Sequence, residues 1–139
     1  MAELVFFYGT LMMPFNRPGR RQVDRYLAYV GRGSISAALF DLGIYPAAVP
    51  ASDRRVLGEV YEMSRREVVL PVLDEIEGFR ADEPEASLYT RVKTPVTLET
   101  GAVMDAWAYF YNAPLGRAPR IESGDYLEHL RAGGEANRP

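Results

Sequence analysis

Apolar positions along this chain follow two rhythms, and the shorter one dominates. Residues 4–8 form an apolar, aromatic run closed by Gly9, which predicts a buried strand ending in a tight loop. Residues 34–42 and 45–49 read as strands around Gly43, and residues 56–63 alternate as a third. Residues 89–98 and 102–111 are long strand patterns joined around Gly101, a hairpin signal. Helical spacing occurs over residues 20–30, where Val23, Leu27 and Val30 share one face before Gly31 and Gly33 punctuate it. A second helical segment is announced by Ser64 and Glu67 at capping-box spacing and is stopped by Gly78. Pro71 falls inside it, so either the helix kinks there or a short turn precedes a helix beginning at Pro71. Both versions keep residues 73–77 helical. Residues 125–131 form a short third helix, and residues 14–19, 82–85 and 114–124 are loops.

Six or seven strands with two or three helices predict an α+β fold, a small mixed β-barrel with flanking helices. At 139 residues the chain fits a single domain. Its bounds are expected at residues 1–131, leaving 132–139 as a polar, Gly-rich tail. Hydrophobic residues make up 47% and charged residues 25%, enough apolar material for a sizeable core. A net charge of −3 argues against nucleic acid as a partner, whose footprint is basic. No apolar run approaches the length of a membrane span, so no membrane partner is expected. The chain has no cysteine, which excludes disulfides, thiolate nucleophiles and thiolate metal sites. That fits a reducing compartment, and the short, acidic start is no secretory signal, so the expected location is cytoplasmic.

The candidate chemistry centres on Leu73-Asp74-Glu75-Ile76-Glu77-Gly78. At about 100° per residue, Leu73 and Ile76 define the buried face, and Glu77 lies at its edge. Glu75 lies about 200° from Leu73 and points to water. A carboxylate beside Leu and Ile is desolvated, and desolvation raises its proton affinity toward the range a general acid–base group needs. A boundary glutamate that reaches out to solvent, or pairs with an arginine, would look the same from helix phase alone. The segment Tyr8-Gly9-Thr10-Leu11 places backbone N–H groups at a strand end, where they can hold an anion, although an ordinary turn would read alike. Tyr89 and Arg91 share a strand face and could bind a polar substrate, brace a carboxylate, or form a surface pair. Trp107, Tyr109 and Tyr111 share another face, the pattern of core or barrel lining. His129, the single histidine, reads as a surface residue, and no Gly-X-Ser-X-Gly elbow is present to partner it. Arg17, Arg20, Arg21 and Arg25 form a basic cluster of the kind usually found on a solvated helix face. The carboxylates that remain show no metal-ligand spacing, so no metal is expected.

In their order along the chain, Tyr8-Gly9-Thr10-Leu11, Gly58-Glu59-Val60-Tyr61, Leu73 to Gly78 and Tyr89-Thr90-Arg91 resemble the γ-glutamylcyclotransferase family, which includes the avirulence-induced-like proteins and γ-glutamylamine cyclotransferase. The Tyr-Gly-Thr-Leu form is closer to the γ-glutamylamine branch than to the glutathione-degrading branch. The likeness covers roughly residues 4–111. It implies a compact β-barrel with flanking helices and no metal or organic cofactor. It further implies a small-molecule γ-glutamyl substrate, Glu77 as the acid–base glutamate, residues 8–11 lining the substrate site and Tyr89 near it. The expected activity is release of 5-oxoproline and a free amine from a γ-glutamyl amide. Two alternatives stay open: an inactive binding or regulatory module on the same fold, and a γ-glutamyl-removing enzyme of a biosynthetic pathway. Oligomeric state is not legible.

Overall fold

The computed structural model describes residues 3–12 and 17–136. Five strands close a barrel: β1 (Glu3–Phe7), β2 (Leu27–Asp41), β3 (Pro46–Met63), β4 (Tyr89–Leu98) and β5 (Val103–Tyr111). Their order is β1-β3-β2-β4-β5, and a parallel bridge between Val5 and Trp107 joins the last strand to the first. Three helices accompany them: α1 (Pro18–Arg21), α2 (Arg66–Glu77) and α3 (Tyr126–Ala136).

The strand count falls below six because neighbouring patterns fuse. Residues 45–49 and 56–63 are two ends of one long strand, β3. It pairs with β2 from Leu27↔Met63 to Asp41↔Pro46, with register shifts at Tyr29/Gly31 and Ser36/Ala37. Those irregularities bend the hairpin so that it can wrap a closed barrel. The turn around Gly43 and the hairpin around Gly101 form where expected.

The helix predicted over residues 20–30 does not form. One helical turn ends at Arg21, a 3-10 turn covers Asp24–Tyr26, and the chain enters β2 at Leu27. Leu27 and Tyr29 pair across to Met63 and Tyr61, and the Tyr29 ring packs 5.4 Å from that of Tyr61. Non-local pairing of this kind overrides a three-and-four spacing that local sequence cannot distinguish from a helix. The loop predicted at residues 14–19 lies partly outside the described residues, and its end, Pro18 and Gly19, opens α1.

Helix α2 is continuous and carries Pro71 in its interior, at a solvent-exposed position. The capping box is not used. Arg65 caps without a side-chain bond, Glu67 pairs with Arg65 at 2.7 Å, and Ser64 bonds back to Tyr26. Helix α3 runs past Arg131, where the sequence pattern ends, to Ala136.

Both faces of β5 are covered. Ala106, Ala108 and Phe110 are buried on one face. Tyr109 is buried on the alternate face, where α2 packs. The aromatic stripe, expected as core or barrel lining, is core: Tyr109 is buried in it and Trp107 and Tyr111 pack against it, and β4 adds Tyr89, Arg91 and Lys93 to the same face. Side chains from α2 and from both strands meet on this surface.

Candidate active site

The end of α2 fixes one carboxylate. Gly78 takes a left-handed conformation (φ 68°), its N–H donates to the Glu75 carbonyl at 3.3 Å, and the Phe79 N–H donates to that of Asp74 at 2.8 Å. Glycine adopts this conformation without the Cβ strain other residues meet, so the helix stops here. Glu77 is thus the last helical residue. Leu73, one turn before it, is fully buried, and Ile76 packs against the same core. Glu77 is half-buried and lines a cleft, whereas Glu75 is exposed at the edge of that cleft.

Helix α2 is clamped one turn earlier. Asp74 receives Arg91 through Nε at 2.8 Å and Nη2 at 3.3 Å, and its Oδ1 also accepts the Tyr109 hydroxyl at 2.7 Å. The Arg91 guanidinium lies over Trp107 at 4.7 Å and Phe79 at 5.5 Å. Arg91 braces a carboxylate but does not line the cleft; Tyr89, two residues earlier, does.

The facing wall is the segment Tyr8 to Leu11, all four residues of which line the cleft. The Tyr8 hydroxyl donates to the Tyr109 carbonyl at 2.7 Å and accepts from the Ala48 N–H at 3.3 Å. The Tyr89 hydroxyl donates to the Pro46 carbonyl at 2.8 Å. Gly9 packs under Pro46: a Cβ at Gly9 would come within 2.9 Å of the proline ring. Its missing side chain thus lets two walls close. Beyond the Met12 N–H bond to the Gly9 carbonyl, the loop leaves donors over: among the described residues, the amides of Gly9, Thr10 and Leu11 make no hydrogen bond. Backbone donors at a strand end, without partners, can receive an oxyanion.

The electrostatics separate one group from the rest. Burial pushes the Tyr8, Tyr89 and Tyr109 hydroxyls up, and the Glu77 carboxylate pushes them further. They stay neutral and, with their protons already committed, serve as walls. Burial also pushes Glu77 up, to about 7, against the opposing pull of the Arg17 guanidinium. Its place at the carbonyl end of α2 acts in the same sense, because the helix dipole disfavours further negative charge there. Among the described residues, no hydrogen bond satisfies this carboxylate. The result is a proton acceptor poised near neutral pH in a cleft.

Arg17, Tyr45, Pro46 and Tyr109 also line the cleft and were not foreseen as site residues. Tyr109 gave a usable signal in its strand parity. Arg17 gave none beyond membership of a basic cluster. Among the described residues, no group of three or more acidic, histidine or cysteine side chains is placed to hold a metal.

Residues 5–128 match the family described as Gamma-glutamyl cyclotransferase, AIG2-like. The chain belongs to this family. A relative from Methanocaldococcus jannaschii, named provisionally as a gamma-glutamylcyclotransferase, is 32% identical over 133 residues, covering 91% of this chain and 98% of its own. The gamma-glutamylcyclotransferase family protein YtfP of Escherichia coli K12 is 32% identical over 127 residues, covering 89% and 96%. The crystal structure of YkqA from Bacillus subtilis superposes with a TM-score of 0.73 at 26% identity. It matches 99% of this chain, which spans only 44% of the longer YkqA. Membership implies a small-molecule substrate. No helix among the described residues is long and apolar enough to cross a membrane.

Proposed function

We propose that this protein cyclises a γ-glutamyl amide to 5-oxoproline and releases the amine, with Glu77 as general base and then general acid. The observation that carries this is Glu77 itself: a carboxyl raised to about 7, lining a cleft together with Gly9 to Leu11, whose amides make no hydrogen bond among the described residues. The carboxylate accepts a proton from the substrate α-ammonium. The neutral amine attacks its own γ-carbonyl carbon and closes a five-membered ring, so no serine or cysteine nucleophile is needed. The tetrahedral oxygen gathers negative charge, and the loop amides are the donors that would receive it. The C–N bond then breaks as Glu77 returns its proton to the leaving nitrogen, and the ring nitrogen gives up its remaining extra proton, by way of Glu77, to the released amine. One carboxyl can serve both transfers because its proton affinity lies near the working pH. Holding the glutamyl arm folded onto itself is the remaining task, and orientation of this kind is worth several kcal/mol. Tyr8, Tyr89 and Tyr109 are the walls that would impose it.

An inactive binding module has less support, since binding alone does not require a carboxyl whose proton affinity lies near neutral pH. The test is a panel of γ-glutamyl alkylamines, ε-(γ-glutamyl)lysine and glutathione, each scored for 5-oxoproline. Release from at least one amide is expected. No release from any of them by folded protein would overturn the proposal.

A further inference from the structure

The cleft holds one cation whose task remains open. Among the described residues lining it, Arg17 is the sole basic side chain. Other arginines of the molecule reach carboxylates: Arg20 meets Asp24, Arg32 meets Asp125, Arg66 meets Glu3 and Arg91 meets Asp74. Arg17 forms no ion pair among the described residues. Its guanidinium donates through Nη1 to the Thr10 hydroxyl. Among the described residues that leaves most of a five-donor fork unspent, in a cleft whose far wall carries Glu77.

The side chain is nonetheless held in place. Arg17 precedes Pro18, which confines it to extended backbone, as its φ of −64° and ψ of 139° show. Its carbonyl accepts the Arg21 N–H at 3.1 Å, closing the turn of α1. Thr10, part of the facing wall, fixes the guanidinium. Arg17 and Glu77 feel one another across the cleft without closing into a pair. A glutamyl head carries an ammonium and a carboxylate on one carbon, and these two opposite charges are complementary to that gap.

We propose that Arg17 binds the α-carboxylate of the γ-glutamyl substrate and so makes a free carboxylate at that carbon a condition of recognition. This rests on the cyclisation proposed above. It leaves the amides of Gly9 to Leu11 for the developing oxyanion. A planar guanidinium suits a carboxylate because it offers two parallel donors.

The experiment compares γ-glutamyl methylamide with its α-carboxamide counterpart as substrates for the full chain, in wild type, Arg17→Gln and Arg17→Lys. Wild type should prefer the carboxylate substrate, and Arg17→Gln should reduce that preference in kcat/KM by about 10–100-fold, the scale of a charge-assisted hydrogen bond. Arg17→Lys should restore part of it. The preference ratio is the readout because any change in Glu77 acts on both substrates alike. An unchanged ratio in Arg17→Gln overturns the proposal. Calorimetric titration with 5-oxoproline and with its neutral amide runs beside it. If wild type cyclises neither substrate, the proposed reaction fails and binding alone decides Arg17. 5-Oxoproline bound by wild type and lost in Arg17→Gln supports its role, whereas equal binding by both proteins, or none by wild type, overturns it.

Discussion

Arg17 and Arg20 hold the same stretch of chain and end in opposite circumstances. Arg20 is buried, and its Nη1 donates to the Leu11 carbonyl at 2.8 Å. Its Nε meets Asp24 at 3.0 Å, Glu59 lies 3.8 Å from Nη1, and the Tyr61 ring stacks 4.4 Å away. The Tyr61 hydroxyl in turn donates to Glu59 at 2.8 Å. Arg17 touches Thr10, one residue from Leu11, and lines a cleft together with Glu77 and four tyrosines. Both regions are built from arginine, glutamate and tyrosine. One is closed, every charge answered within it, and it fixes the loop. The other is left incomplete, and a carboxylate there keeps a proton affinity near neutrality. A satisfied polar network stiffens a structure, while an unsatisfied one costs stability and points to a use.

Replacing Glu77 should break the open region hardest. Glu77→Gln keeps the shape of the side chain but cannot accept and return a proton. Loss of general acid–base help is expected to lower turnover by about 10²–10⁴-fold, measured as 5-oxoproline release. Near-normal turnover by a folded variant would remove Glu77 from the mechanism. In the closed region the largest effect should be on folding. Arg20→Met removes the guanidinium beside Glu59 and Asp24 and the donor to the Leu11 carbonyl, and breaking a buried pair from one side costs about 3–5 kcal/mol. Arg17→Gln, with no ion pair among the described residues to break, should cost no more than about 1 kcal/mol. Urea unfolding of the two variants measures the difference, and equal losses would dissolve the contrast between the regions.

The pH response sharpens it further. Glu77 must be deprotonated to act as a base, so kcat/KM should rise with pH through about 7. The Arg17 cation holds that proton affinity down, so Arg17→Gln should move the rise to higher pH. Stability should run the other way. The folded carboxyl binds its proton more tightly than the unfolded one, so the contribution is fully present below the unfolded value of 4.5 and is lost as pH climbs through about 7. At pH 8 the wild type therefore carries a buried charge that Glu77→Gln lacks. The variant should be more stable there by on the order of 1–3 kcal/mol, with little gain at pH 4. Melting at the two pH values checks this, and a variant no more stable at pH 8 would mean Glu77 is solvated.

Much of this was legible in residue order, for identifiable reasons. The strands show because their period of two is local, and Glu77 shows because helix phase relative to Leu73 and Ile76 is local too. What failed depended on distant partners. Val23, Leu27 and Val30 have helical spacing, yet Leu27 lies opposite Met63. No local feature could say which arginine of the basic cluster would be buried. That was decided by Glu59 on β3 for Arg20, and by Thr10 at the cleft wall for Arg17. Arg91 was expected beside Tyr89 and is so placed, but its carboxylate partner Asp74 comes from α2. The Ser64 to Glu67 box failed because Ser64 is drawn to the Tyr26 carbonyl.

The smallest expected effect belongs to Glu75, and it tests how much of the site depends on direction rather than on residue type. Glu75 and Glu77 share a helix, a side chain and one edge of the cleft. They differ by two residues, about 200° around the axis. Glu75 is exposed, and water screens its charge, whereas Glu77 is turned to the desolvated side. Glu75→Gln should leave stability within about 0.5 kcal/mol, as exposed substitutions usually do. Its effect on turnover should be of similar size, about twofold. The glutamyl head carries one charge of each sign, so removing a negative charge from the mouth of the cleft should leave KM within that twofold at low and at high salt. The pH at which kcat/KM rises should stay where it is, since that rise belongs to Glu77. Steady-state kinetics at two ionic strengths read all three quantities. A loss in Glu75→Gln comparable to that in Glu77→Gln would show that the two carboxyls act together, and the assignment of both proton transfers to Glu77 would have to be given up.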